Sequence, residues 1–223
     1  RVKVSGALSL DNLNDLDLMN RQELSENFNI TLSDAPFLLV TYHPVSLEFE
    51  KTEWQFGELL AALGECDLPV IFTMPNADTG GRGIHSMIKK YIEKHRSAQM
   101  VENFGTQGYF SMMTEAMAMV GNSSSGIIEA ASFHLPVVNI GTRQQGRLRG
   151  KNIIDVDYDR NQILIGLQKA LDPQFQDQIM KLVNPYGDGT AAEKIIRVIK
   201  TVEIDERLLM KRFHDVDGVL NRS

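Results

Sequence analysis

Short, almost unbroken apolar runs alternate along this chain with stretches whose apolar residues recur every third or fourth position. PFLLVTYHP (36–44) is apolar or β-prone from Phe37 to Tyr42 and reads as a buried strand running into a loop. WQFGELLAALGE (54–65) has the spacing of an amphipathic helix, and LPVIFTMP (68–75) is the next strand. IHSMIKKYIEKH (84–95) brings Ile84, Met87, Ile88, Tyr91 and Ile92 together at helical spacing. A short strand near AQMVENF (98–104), a helix through YFSMMTEAMAM (109–119) and a short strand ending at Val120 follow. GNSSSGIIEAASFHLP (121–136) carries a helix after its serines, and PVVNIG (136–141) and NIIDVD (152–157) are the last strands. Helical patterns at 160–171, 190–202 and 205–215 close the chain. The opening RVKVSGALSLDN is strand-like and has no initiating Met, as expected of a piece cut from the interior of a longer protein.

Strands that alternate with helices make βαβ units and a parallel sheet covered on both faces. The near-continuous apolar strands say the same, because a strand buried on both sides has no polar face. The pattern therefore predicts a doubly wound parallel α/β sheet. Ligands of such folds bind outside the carboxyl ends of the strands. Here those ends read TYHP, MPNAD, ENFGT, GNSSSG and NIGTRQQGR, and the five loops are expected on one rim.

The chain has 223 residues, 43% of them hydrophobic, enough for one large domain with a real core. Lys and Arg number 23 against 29 Asp and Glu, a net charge of −6. That balance argues against a general nucleic-acid or anionic-membrane surface, but leaves room for a small basic pocket. No apolar run approaches the roughly 20 residues of a membrane span, and no signal peptide is evident. Cys66 is the single cysteine, so an internal disulfide and a cysteine-based metal cluster are both excluded. That usage fits the reducing cytoplasm.

The serine loop carries the chemistry. The first turn of a helix presents backbone N–H groups and the positive end of the dipole. Small residues admit an anion to that backbone, and Ser123, Ser124 and Ser125 add hydroxyl donors, so GNSSSG is a phosphate site in waiting. Taken alone, the same serines are equally read as an ordinary helix cap and nothing more. Glu129 lies four residues past Ser125, one helical turn on, where a carboxylate can accept hydrogen bonds from a ribose diol without facing the phosphates. The next rim loop, GTRQQGR (141–147), supplies Arg143 close to a strand end, placed for bidentate contact with phosphate. Arg147 and Arg149 read as a solvated pair.

GNSSSGIIEAASFHLPVVNIGTRQQGR, with TYHPVSLE upstream and PYGDG downstream, closely resembles the hydrolysing UDP-N-acetylglucosamine 2-epimerases of sialic acid biosynthesis. The matching motifs span nearly the whole chain in order: VSGALSLDN, VTYHPVSLE, MPNADTGG, ENF, GNSSSG, GTRQQGR and PYGDG. The resemblance implies the GT-B fold, in which two Rossmann-like domains face across a cleft. Residues 1–223 then form a single Rossmann-like UDP-binding domain, the C-terminal half of that fold, with 203–223 a helix packing toward a missing N-terminal domain. It implies the elimination of UDP to give a 2-acetamidoglucal, then addition of water to release N-acetylmannosamine. On this reading Ser123, Ser124 and Ser125 hold the diphosphate, Glu129 the ribose, and Arg143 the phosphates. Asn76, Asp78 and Asn103 border the nucleotide, and His43 stands beside the departing diphosphate as its acid. The reaction uses no cofactor and no metal. The partners implied are the UDP-sugar, the absent domain and a second copy or more in a dimer or tetramer, with no nucleic acid and no membrane. The base that removes the sugar's C2 proton belongs to the missing domain, so the isolated chain is expected to be inactive.

Other readings stay open at this point. Similar enzymes act on UDP-2,4-diacetamido-trideoxyhexose for legionaminic acid. Non-hydrolysing 2-epimerases carry a Ser-Gly-Gly run followed by paired glutamates, unlike the serine run and single Glu129 here. GT-B glycosyltransferases share the fold, and the chain by itself could simply bind UDP. His85, His95 and His134 read as surface or cap residues, His214 as part of the last helix, and Cys66 as an inert thiol at a helix end. Met112, Met113, Met117 and Met119 read as core filler on one helix.

Overall fold

The apolar runs become six parallel strands: β1 (Leu38–Thr41), β2 (Val70–Thr73), β3 (Ala98–Val101), β4 (Ala118–Gly121), β5 (Val137–Ile140) and β6 (Ile153–Val156). The computed structural model describes residues 2–75 and 80–210. Within them the strands lie in the order β3-β2-β1-β4-β5-β6. In the register of the sheet's middle, Val40 stands opposite both Phe72 and Val120. From β1 the chain moves outward through β2 to β3, then returns to the other side of β1 for β4, β5 and β6. The order therefore reverses between β1 and β4, and a crevice opens where their carboxyl ends part.

Alternate strand residues face opposite sides, so each face has its own core. Leu38, Val40, Phe72, Val120 and Val138 pack with Phe56 and Leu59 of α2 (Thr52–Leu63), Ile84 and Ile88 of α3 (Gly81–Lys94), and Ile163 and Leu167 of α6 (Arg160–Ala170). On the other face Leu39, Ile71, Met119 and Val137 pack with Leu24 of α1 (Arg21–Phe28) and with Phe110, Met112 and Met113 of α4 (Gly105–Glu115). Each such side chain contributes about 1.5–3 kcal/mol by leaving water.

Several elements depart from the sequence expectation. Residues 2–7 are not a strand: Val2 and Val4 are exposed, and a 3-10 helix follows over Leu8–Asn14. Polar clips hold this segment, with the Ala7 N–H donating to the Tyr186 carbonyl and the Asp11 carboxylate accepting the N–H groups of Ala191 and Ala192. Those two amides begin α8 (Ala191–Thr201). The helix expected over 109–119 is α4, four residues earlier at both ends. Sheet pairing wins the tail: Met117 N–H donates to Phe37 and Met119 N–H to Pro136, which moves Met119 into β4. Two helices were not anticipated, α1 and α7 (Pro173–Ile179), although both carry start signals. Asn20 and Glu23 form a reciprocal capping box, and Asp172 caps a helix with Pro173 in its first turn. The helix after the serines is short. It comprises α5 (Ser124–Ile128) and a 3-10 turn over Ala130–Phe133, ended by His134 at φ 51°. Of the final helix, α9 (Glu206–Leu209) is described; His214 and the rest lie outside the described residues.

Candidate functional site

β1 and β4 end side by side at the crevice, and their last residues are stitched together. The Asn122 N–H donates to the Thr41 carbonyl at 3.1 Å, extending the ladder one step past the sheet. Gly121 makes the approach possible: its φ of 135° suits only glycine, and a Cβ there would overlap the Thr41 carbonyl oxygen. The fully buried Asn122 amide then grips the next peptide of the neighbouring loop. Its Oδ1 accepts the His43 N–H at 2.7 Å and its Nδ2 donates to the His43 carbonyl at 2.8 Å. His43 is thereby held, itself buried, over the end of the sheet.

The serines follow immediately. Ser123 is the N-cap of α5, its hydroxyl accepting the Ser125 N–H at 3.3 Å and lying 3.2 Å from the Ser125 hydroxyl. Beneath them runs a chain of hydroxyls: Thr73 donates to Thr41 at 2.9 Å, and Thr41 meets Tyr109 at 3.0 Å. Burial raises the pKa of the Tyr109 hydroxyl and keeps it neutral, with the Thr41, Ser125 and Ser123 hydroxyls opposing the rise. The serine turn therefore caps a helix and also sits on a polar floor, which an ordinary cap does not need.

From the β5 side, Arg143 donates through Nη1 to the Asn122 carbonyl at 3.1 Å, and Gln144 Nε2 to the same oxygen at 2.8 Å. A second strut joins the same loops. The Glu48 carboxylate accepts the Thr142 hydroxyl at 2.6 Å and the Gln55 amide at 2.6 Å. The Thr142 hydroxyl above all holds Glu48 below the ordinary carboxylate range. Arg149 turns away to Asp155 and to the Gln144 and Arg147 carbonyls, so it is a brace of its own loop and not one of a solvated pair. Arg147 is exposed, but its charge acts on Glu129 and favours the ionised carboxylate.

Glu129 closes α5, buried, with its Oε1 accepting the Ser9 hydroxyl at 2.5 Å. Burial raises its pKa, and Ser9 opposes the rise. Ser9 and Asn12 come from the opening segment and line, with Thr73, Asn103, Ser124 and Glu129, a cleft of about 570 Å³. Asn103 is exposed on its loop, its Oδ1 accepting the Gly105 N–H at 2.8 Å. Asn76 and Asp78 lie outside the described residues. The structure thus brings His43, Ser123, Ser124, Ser125, Glu129, Arg143 and Asn103 to one rim. Sequence reasoning missed Asn122, Tyr109 and Ser9. Asn122 stood inside the quoted serine motif, whereas Ser9 is 120 positions from Glu129 and no local pattern joins them. Among the described residues no three His, Cys, Asp or Glu side chains converge as metal ligands, and no helix is long and apolar enough to cross a membrane.

Known proteins resemble this chain in sequence and fold. The UDP-N-acetylglucosamine 2-epimerase family model matches residues 1–200. The UDP-N,N'-diacetylbacillosamine 2-epimerase (hydrolyzing) of Legionella pneumophila is 35% identical over 92% of this chain and 53% of its own length. The GDP/UDP-N,N'-diacetylbacillosamine 2-epimerase (hydrolyzing) of Campylobacter jejuni is 36% identical over 97% of this chain and 56% of its own. The chain therefore spans about half the length of these curated relatives. Among solved structures, the UDP-GlcNAc 2-epimerase of Neisseria meningitidis bound to UDP-GlcNAc matches with TM-score 0.71 at 16% identity, over 88% of this chain and 54% of that one. The Staphylococcus aureus MnaA-UDP co-structure matches with TM-score 0.68 at 19% identity, over 88% and 52%. At such identities the likeness speaks for the fold alone: a Rossmann-like half of a GT-B architecture. With the family model covering nine-tenths of its residues, the chain belongs to the UDP-N-acetylglucosamine 2-epimerase family.

Proposed function

We propose that this chain is the UDP-binding, C-terminal half of a hydrolysing UDP-sugar 2-epimerase. The observation that carries the reading is the serine turn at the switch point, flanked by His43 and Arg143 and followed one turn later by the buried Glu129. The diphosphate lies on the α5 N-terminus and the serine hydroxyls, with Arg143 compensating its charge. Glu129 takes the ribose hydroxyls, which displace or share its bond to Ser9. Asn103, Asn76 and Asp78 border the nucleotide.

A base in the second domain removes the proton at C2 of the sugar. The C2–H electrons form the C1–C2 double bond, and the C1–O bond breaks toward UDP. Negative charge grows on the departing diphosphate, where the serine donors, Arg143 and a protonated His43 stabilise it. Water then adds its oxygen to C1 and a proton returns to C2 from the opposite face, giving the free epimerised sugar. This chain supplies the leaving-group side; the isolated chain binds UDP but turns over negligible substrate. The full-length protein works as a dimer or tetramer in the cytoplasm, without metal or cofactor.

The sugar is a UDP-2-acetamido sugar. The relatives named for diacetylbacillosamine, at 35% and 36% identity, support UDP-2,4-diacetamido-trideoxyhexose. The Neisseria meningitidis UDP-N-acetylglucosamine 2-epimerase, at 28%, supports UDP-N-acetylglucosamine as the second reading, which leads to N-acetylmannosamine and sialic acid. Incubating the full-length enzyme with each substrate in D2O tests both readings. A free 2-epimeric sugar carrying deuterium at C2 is the expected product. A UDP-sugar product, or transfer of the sugar to an acceptor with C2 unlabelled, would contradict it.

A further inference from the structure

Asn122 is an expensive residue to bury, because its amide has donors and an acceptor that must all find partners. Its side chain presents the same N–H and C=O pair as a peptide unit, and it meets the N–H and C=O of His43 as a neighbouring strand would, at 2.7 and 2.8 Å. Its main-chain N–H is taken by Thr41 and its carbonyl by Arg143 and Gln144. One residue of the β4 loop thus ties the β1 loop to the β5 loop across itself. The Glu48–Thr142 bond joins the same two loops at a second point. Aspartate would keep the acceptor and lose the donor; serine is too short to reach both groups of His43. The elements that place the cation and the acid on the diphosphate therefore meet at Asn122, while Glu129 shares no bond with it.

We propose that Asn122 is a positioning residue, fixing His43 and Arg143 at one spacing over the serine turn so that both reach the same diphosphate. The proposal rests on the nucleotide reading above. In it, the site's phosphate end is preorganised by the sheet and not by the ligand.

The test is a pair of double-mutant cycles read by calorimetric titration of the chain with UDP. Asn122→Ala weakens UDP binding about tenfold, as expected when His43 loses both bonds to the Asn122 side chain and no longer meets the diphosphate. His43→Ala weakens the parent chain to a similar degree but costs less than about twofold in the Asn122→Ala background, because the histidine is already misplaced, whereas the Asn122 main-chain carbonyl that holds Arg143 survives the substitution. Glu129→Gln, in contrast, adds independently to Asn122→Ala. Circular dichroism and thermal melts confirm folding; if Asn122→Ala does not fold, Asn122→Ser enters the same cycles. Coupling to His43 without coupling to Glu129 supports the proposal. Additive effects with His43, or equal coupling to both residues, overturn it, the latter because it marks general collapse of the site. A folded parent chain that fails to bind UDP overturns the nucleotide reading, and the proposal falls with it.

Discussion

The two ends of the cleft are built on different principles. At the serine-turn end His43, Asn122 and Ser123 are each at most 7% exposed, and the bonds of Asn122 run from strand end to strand end. At the far end Glu102 and Asn103 are exposed, and Asn103 spends its side-chain oxygen on its own loop. Glu129 stands between, buried but held by a hydroxyl from a segment that the sheet does not contain. On the proposed function, the end that would stabilise a developing charge is fixed by the fold, and the end that would border the neutral part of a nucleotide is made of residues that can adjust. Preorganisation is useful only where charge develops, since donors that must reorient during the reaction lose much of their advantage.

That contrast can be broken, most severely at Gly121. Gly121→Ala introduces a Cβ against the Thr41 carbonyl at φ 135°, and is expected to cost about 3 kcal/mol or more of stability. Denaturant unfolding measures it; a loss under about 1 kcal/mol would mean that the β1–β4 junction is not rigid. The intermediate effect belongs to Glu129. Burial raises its folded pKa above the ordinary 4.5, so the unfolded chain loses its proton first as pH rises. Between 4.5 and the raised value the wild type therefore loses stability, and below 4.5 the effect is absent. Glu129→Gln removes that loss, so the variant gains relative to wild type as pH climbs through this interval. Parallel stability curves for the two would show that Glu129 is not desolvated. The smallest effect is at the open end: Asn103→Ala gives up one exposed loop bond and is expected to change stability by about 0.5–1 kcal/mol and UDP affinity by less than about threefold. A tenfold loss of affinity there would erase the distinction between the two ends.

Much of this was legible in the sequence because the fold writes itself locally. Each apolar run from PFLLVTY to NIIDVD became a strand, since a strand buried on both faces needs no partner to be recognised. The serine turn and the loop of Arg143 were legible for the same reason: each follows its strand directly. Where the sequence misled, two local preferences competed. YFSMMTEAMAM is helical in pattern throughout, yet its last residues pair with Phe37 and Pro136, and pairing outweighs propensity. The valines at 2 and 4 suggested a strand, but the segment is clipped through Ala7 and Asp11 and leaves those valines in water. The Ser9–Glu129 contact and the fastening at Asn122 were out of reach, because they join residues far apart in the chain through side chains whose types are common in loops.

The central claim is that the serine turn and Arg143 hold a nucleoside diphosphate. Calorimetric titration of the folded chain with UDP, with Ser124→Ala and Arg143→Ala alongside, tests it most directly. The account predicts that UDP binds the parent chain, that Arg143→Ala loses roughly tenfold in affinity, and that Ser124→Ala loses several-fold, in keeping with about 1.5–3 and 0.5–1.5 kcal/mol for charged and neutral hydrogen bonds. Binding that is unchanged in both variants, or absent from a folded parent, would contradict it.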